Sequence, residues 1–286
     1  MDVKLTWLDT GYCRQLELFS RKGGRVKMIR FHALAGLIEH PQHGIWLFDT
    51  GYSPRFFQAT QSFPYSLYAS LTPVVTAPEQ SVLAQLNQRG IAADEVKGIL
   101  LSHFHADHIG GLRDFPKARL YCYESAYLHI KDKTGLAAVR EAYLPDLMPA
   151  DFAERVTFVD RLAPVGLPAQ YAPYAKGYDL FGDQSAWVVD LPGHAQGQFG
   201  VFVRDRDHGE LFLCADAAWS SEAYRRFLLP HPLARLIMSD RKAYRDELHK
   251  LHVLSRNRAD DLRIMPTHCS EVWETTKEGG DFSWRS

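Results

Sequence analysis

Hydrophobic and polar positions divide the chain into strand-like runs at both ends and a breaker-rich middle. Leu5 to Tyr12 and Gly24 to Phe31 read as extended segments separated at Gly23-Gly24. Leu34 to Glu39 and Ile45 to Phe48 predict a hairpin whose loop carries Pro41, His43 and Gly44. Over 52–77 the texture changes: Phe56, Phe57, Phe63, Tyr65 and Tyr68 mix with Pro54, Pro64 and Pro73 without a regular period. A long aromatic segment after a strand end predicts a lid over a site, a homodimer contact, or a loop packed on the domain. Helical spacing returns over 78–89, opened by Pro78-Glu79 and closed by Gly90. It leads into the apolar run Val96 to Leu101.

Residues 118–123 predict a strand and 124–133 a helix. From 135 to 182 the chain is rich in Pro and Tyr and sustains no apolar period, which predicts an insertion walling a pocket, with one strand at Arg155 to Asp160. The last third returns to strands at 185–190, 198–204 and 210–215, with a turn at Asp207-His208-Gly209. A helix follows over 240–256 with Ser239 as N-cap, then a strand over 262–265. The pattern fits a single domain over 1–286, and 46% hydrophobic content is enough for a large core.

A formal net charge of -1 offers no bulk field to hold nucleic acid or a membrane surface, so a small or neutral substrate is expected. The N-terminus lacks a basic stretch followed by an apolar one, and no apolar run approaches ~18 residues, which predicts a cytoplasmic protein without a membrane partner. Cys13, Cys122, Cys214 and Cys269 are far apart and predict neither disulfides nor a zinc ribbon. His32, His40 and His43 fall in or beside the expected loops and read as solvated, and His249 and His252 as a surface helix face.

The densest chemistry follows Leu101, in Ser102-His103-Phe104-His105-Ala106-Asp107-His108-Ile109-Gly110-Gly111. Imidazole and carboxylate together favour zinc or a similar first-row divalent ion, with Fe, Mn or Co as the others. One tight turn cannot aim His103, His105, Asp107 and His108 at a single point, so the spacing predicts two ions side by side. His194, Asp216 and His268 each follow a predicted strand. A division satisfying both ions puts His103, His105 and His194 on one, Asp107, His108 and His268 on the other, and Asp216 between them. The position left open marks a catalytic site.

His-x-His-x-Asp-His followed by separate His, Asp and His at strand ends resembles the metallo-β-lactamase superfamily, from Asp49-Thr50-Gly51 to His268. The resemblance implies an α/β fold, an αβ/βα four-layer sandwich of two mixed sheets flanked by helices, with the dimetal site at one edge. Within the superfamily the layout is most similar to the N-acyl homoserine lactonase branch, through Asp49-Thr50-Gly51, the 102–111 motif, Pro192-Gly193-His194 and Asp216. That branch carries a tyrosine three residues after the bridging aspartate, whereas this chain has Trp219, with Tyr224 five residues further on.

These features predict a dinuclear hydrolase that uses a metal-bridging hydroxide to open a carboxylic ester, in first place a lactone. Asp107 or Asp216 would carry the proton to the leaving oxygen. Phe56, Phe57, Phe63, Tyr65, Trp219 and Tyr224 are candidates for the substrate pocket. A glyoxalase II-like thioesterase and a phosphodiesterase compete on the same scaffold. Arg256, Arg258 and Arg263 would serve the thioesterase. A non-catalytic metal-binding regulator is the alternative from another class.

Overall fold

A computed structural model describes residues 2–258 and 261–277, with the backbone only at 235 and 236. Its first sheet takes β1 (Lys4–Leu16), β2 (Met28–His40), β3 (Gly44–Phe48), β4 (Val74–Val75), β5 (Val96–Leu100), β6 (Arg119–Cys122) and β7 (Val156–Phe158) in the order β4-β1-β2-β3-β5-β6-β7. The second takes β8 (Val165–Gly166), β9 (Lys176–Asp179), β10 (Ala186–Asp190), β11 (Phe199–Asp205), β12 (Gly209–Ala215) and β13 (Leu262–Pro266) in the order β13-β12-β11-β10-β9-β8. Both sheets mix parallel and antiparallel pairs and are flanked by helices, the sandwich that the resemblance implied. Among the described residues no helix is long and apolar enough to cross a membrane.

Strand alternation builds the layers. In β12, Leu211, Leu213 and Ala215 join the core shared by the two sheets, while Phe212 and Cys214 face the other way. Phe212 stacks on Phe202 at 3.8 Å, and Leu248, Leu251 and Leu254 of the helix Arg241–Asn257 cover that outer face. With both faces buried, these strands read as near-continuous apolar runs. Asp240, not Ser239, caps that helix: its carboxylate accepts from the N–H groups of Lys242 and Ala243.

Strand direction gathers the site. β10 and β12 each run antiparallel to β11, and β12 runs parallel to β13, so β10, β12 and β13 end at one edge. In the first sheet β3 and β5 run parallel and end together. The N–H of Phe199 donates to the carbonyl of Ser102 at 3.1 Å and ties the two edges.

Two expectations are corrected. The extended segments before and after residue 32 are one strand, β2, whose register shift against β1 between Asp9 and Tyr12 brings Tyr12 and Cys13 onto β4. Residues 135–182 contribute β7 to the first sheet and β8 and β9 to the second. His32 and His40 are buried, not solvated, since both lie within β2. His32 pairs with Asp9 at 3.0 Å. His252 donates through Nδ1 to the carbonyl of Tyr224 at 2.8 Å, while His249 is exposed.

Candidate metal centre

Four loops deliver the candidate side chains to this edge. Asp107 and His108 lie in the single helical turn Ala106–Ile109, which is seated on the chain leaving β3. The N–H of Thr50 donates to the carbonyl of His108 at 2.8 Å, and that of Gly110 to the carbonyl of Gly51 at 2.9 Å. A Cβ at Gly110 would stand 2.5 Å from that carbonyl oxygen, which explains the glycine. His194 follows Gly193, at φ +120°, where a Cβ would meet the N of Tyr244 at 2.1 Å. Asp216 leaves β12 just after Ala215, which is held at φ 46°.

One ligand atom from each of His103, His105, His194 and Asp216 lies within 4.8 Å of the others, and so do those of Asp107, His108 and His268. The two groups meet at Asp216. Its Oδ2 is 3.0 Å from Nε2 of His194 and 2.9 Å from Nε2 of His268, while Oδ1 is 3.3 Å from Nε2 of His108. Asp107 approaches from the other side, 3.5 Å from Nε2 of His268. Only His105 and Asp107 of the seven keep partial exposure.

The outward nitrogens are held. Nδ1 of His108 donates to Asp49 Oδ2 at 2.8 Å, and Nδ1 of His268 to the carbonyl of His32 at 2.6 Å. Nδ1 of His103 lies 3.0 Å from the hydroxyl of Ser102, which donates to Asp49 at 2.8 Å. Such partners fix the tautomer that leaves Nε2 bare toward the cluster. Asp49, Ser102 and the His32 carbonyl are the functional groups that motif reading left without a role.

Whether a cation fits can be tested on the unpaired atoms. Nε2 of His103 and of His108, and Oδ1 of Asp216, are buried without a hydrogen-bond partner. Each buried polar atom so placed costs about 1–3 kcal/mol. Burial, then the neighbouring imidazoles, hold His103 and His105 well below the usual histidine range. Burial opposes charge on His108 and His268 as well, but the surrounding carboxylates outweigh it and raise both. Asp216 is held well below the carboxylate range because His268, His194 and His108 overcome its burial. Imidazole nitrogens and an ionised carboxylate converging on one point suit divalent cations, so the residues fit.

The expected pocket residues separate. Trp219 is buried against the cluster: its ring lies 5.9 Å from that of His194 and its indole N–H donates to Asp216 Oδ2 at 3.3 Å. Tyr224 does not take the missing tyrosine's place, because its hydroxyl donates to the carbonyl of Ile264 at 3.1 Å. Phe57 and Phe63 are exposed, at 44% and 72%, and the hydroxyl of Tyr65 accepts from the N–H of Gly135. Phe56 is buried in the core beneath them. A cavity of about 230 Å³ beside His268 is lined by Ile29, Phe31 and Trp219 together with Arg21 and Arg30. Phe31 lines this cavity and was not among the expected pocket residues.

A third cluster, His40, His43 and Asp183, has ligand-like spacing. Nδ1 of His40, however, accepts the N–H groups of Gln42 and His43, each at 3.1 Å, so the ring proton sits on Nε2, facing Ser185 and Asp183 at 3.0 and 3.2 Å. The ring clamps a turn and has no lone pair to offer a cation. Burial lowers its pKa from the ordinary 6.5, against the opposing pull of Asp183. The folded chain thus takes up this proton less readily than the unfolded one, and stability is complete above pH 6.5 and lost as pH falls below it. Asn keeps an acceptor for both N–H groups but does not titrate. The Tm difference between wild type and His40→Asn should therefore shift against the wild type from pH 7.5 to 5.5; a constant difference would contradict this account.

The family model of the Metallo-beta-lactamase superfamily matches residues 29–255, a span holding six of the seven candidate ligands, all except His268. The chain belongs to the metallo-beta-lactamase superfamily. It is a metal-dependent hydrolase of that superfamily. A probable metallo-hydrolase of Mycobacterium bovis, Mb2322c, is 25% identical over 249 residues, covering 85% of this chain and 76% of that protein. The N-acyl homoserine lactonase AttM of Azorhizobium caulinodans is 28% identical over 206 residues, covering 71% of this chain and 70% of its own. Among solved structures, an N-acyl homoserine lactone hydrolase with N-hexanoyl-L-homoserine at its catalytic metal center aligns with a TM-score of 0.73 and 18% identity over 95% of both chains. The dizinc lactonase AidC aligns at 0.61 and 16%, covering 94% of this chain and 87% of its own. These two likenesses speak for the fold.

Proposed function

We propose that the chain is a dinuclear metal-dependent hydrolase that opens a carboxylic ester, specifically a lactone. The observation that supports this reading is the meeting of two ligand groups at one carboxylate, Asp216. His103, His105 and His194 would hold one ion, Asp107, His108 and His268 the other, and Asp216 both. Zinc is the first candidate, with Fe, Mn or Co able to occupy the same donors. Bound there, two divalent ions supply an activated water and an electrophile for the carbonyl.

The chain's own residues do the remaining work. Asp107 is a partly exposed carboxylate at the cluster, placed to hold a proton and pass it to the leaving oxygen. Phe31 and Trp219 offer an apolar wall to the part of the substrate beyond the ester, and burial of the histidines excludes water from around them. Lactonase activity of AttM supports the choice of ester. Arg258, one of the cations a glutathione-like thioester would need, is already paired with Glu210 at 2.9 Å and Asp261 at 2.7 Å, which weighs against the thioesterase reading. Exposed Phe63 and Leu71, at 72% and 74%, favour a homodimer contact over a lid for 52–77, and a purely monomeric protein in sedimentation velocity would remove that part.

The test is a hydrolysis screen of lactones, thioesters and phosphodiesters with zinc-loaded protein and an Asp216→Ala control. Lactone turnover that a chelator abolishes is expected. Turnover of phosphodiesters alone, or lactone turnover that survives removal of the metal, would be the wrong result for this reading.

A further inference from the structure

We propose that Trp219 is the positioning residue of Asp216, through an indole hydrogen bond that outlasts cation binding. Asp216 is surrounded by four donors or potential donors: the Nε2 atoms of His108, His194 and His268, and Nε1 of Trp219. The three imidazoles belong to the ligand groups. An imidazole nitrogen that binds a cation does so with its lone pair and carries no proton, so none of the three can donate to Asp216 in a loaded centre. The indole N–H is a donor only, with no lone pair to offer and no proton to lose. Among the described residues it is therefore the one hydrogen bond to the Asp216 carboxylate that a loaded centre retains.

The ring is fixed well enough to hold that bond. Trp219 is 8% exposed, with its face or edge against Phe31 at 5.8 Å, His194 at 5.9 Å and Tyr244 at 6.5 Å. A carboxylate shared by two ligand groups has its plane set by whatever holds its oxygens, and a misaligned plane favours one group at the other's expense. A neutral donor can set that plane without competing with the cations for charge. The proposal rests on the metal-centre reading and is independent of which ester is cleaved.

The test uses the zinc-loaded full chain labelled with ¹⁵N at tryptophan, with Trp219→Phe, which keeps an aromatic ring and deletes the donor. The six tryptophans give a short indole spectrum in which the variant assigns Trp219 by its missing signal. In the loaded wild type, the Trp219 indole proton is expected downfield of an exposed indole and slow to exchange with solvent. In chelator competition, Trp219→Phe should hold zinc about 10-fold less tightly. An indole proton in the loaded wild type that exchanges as freely as an exposed one overturns the proposal without reference to the variant. Zinc held equally by both proteins overturns the role of Trp219 alone, whereas a wild type that holds no zinc overturns the metal centre and this role with it.

Discussion

Asp216→Ala is expected to lower kcat/KM on the order of 10³-fold and to reduce bound metal from about two ions per chain to one or none. The size of the effect follows from position. Asp216 is the carboxylate within 3.3 Å of imidazoles from both ligand groups, so its loss weakens two sites at once. It also takes away the negative charge that raises His108 and His268 and balances the cationic centre. The fold should survive, because the strands on either side are paired and the chain after Ala215 is held by the Thr267 N–H to its carbonyl. The measurements are metal content by mass spectrometry, steady-state turnover and far-UV circular dichroism of the same preparation. A folded variant that keeps two ions and turns over within tenfold of wild type would rule out the shared-carboxylate arrangement.

The seven candidate ligands were legible because each directly follows a strand whose apolar run is visible, at β5, β10, β12 and β13. A strand end fixes where a side chain stands, and neighbouring strands fix what stands beside it. What holds those ligands was less legible. His32 contributes a backbone carbonyl, which no residue type advertises, and it does so from a strand that was divided in two when read by composition. His40 read as a solvated loop residue because its partners are two turn N–H groups and Ser185, 145 residues away. Residues 135–182 gave no period because β7, β8 and β9 are two to four residues long, at or next to a sheet edge, and too short to show alternation. Trp219 was visible as a departure from a pattern, but its bond to Asp216 depends on how the chain turns after β12.

Asp49 shows the same limit most sharply, and Asp49→Asn is expected to cost 10- to 100-fold, by order of magnitude, in both zinc affinity and kcat/KM. Its carboxylate accepts from Nδ1 of His108 directly and, through the Ser102 hydroxyl, secures Nδ1 of His103. One buried side chain therefore orients a histidine in each ligand group. The Ser102 backbone N–H occupies its other oxygen at 2.8 Å, which leaves no room to turn. Asn retains the shape and tolerates the left-handed φ of 60° at this position, so backbone strain does not account for the loss. It can offer only one carbonyl oxygen where Asp49 offers two, and its amide must face either His108 or Ser102 with a donor against a donor. Leaving one such buried group unsatisfied costs about 1–3 kcal/mol, so a lower Tm should accompany the weaker metal binding. Ser102→Ala separates the two arms, because it severs His103 from Asp49 and leaves His108 attached. Zinc titration should then show one class of site weakened in Ser102→Ala and both in Asp49→Asn. If Asp49→Asn keeps both affinities within twofold, the histidines are held by the cations and the strand ends alone.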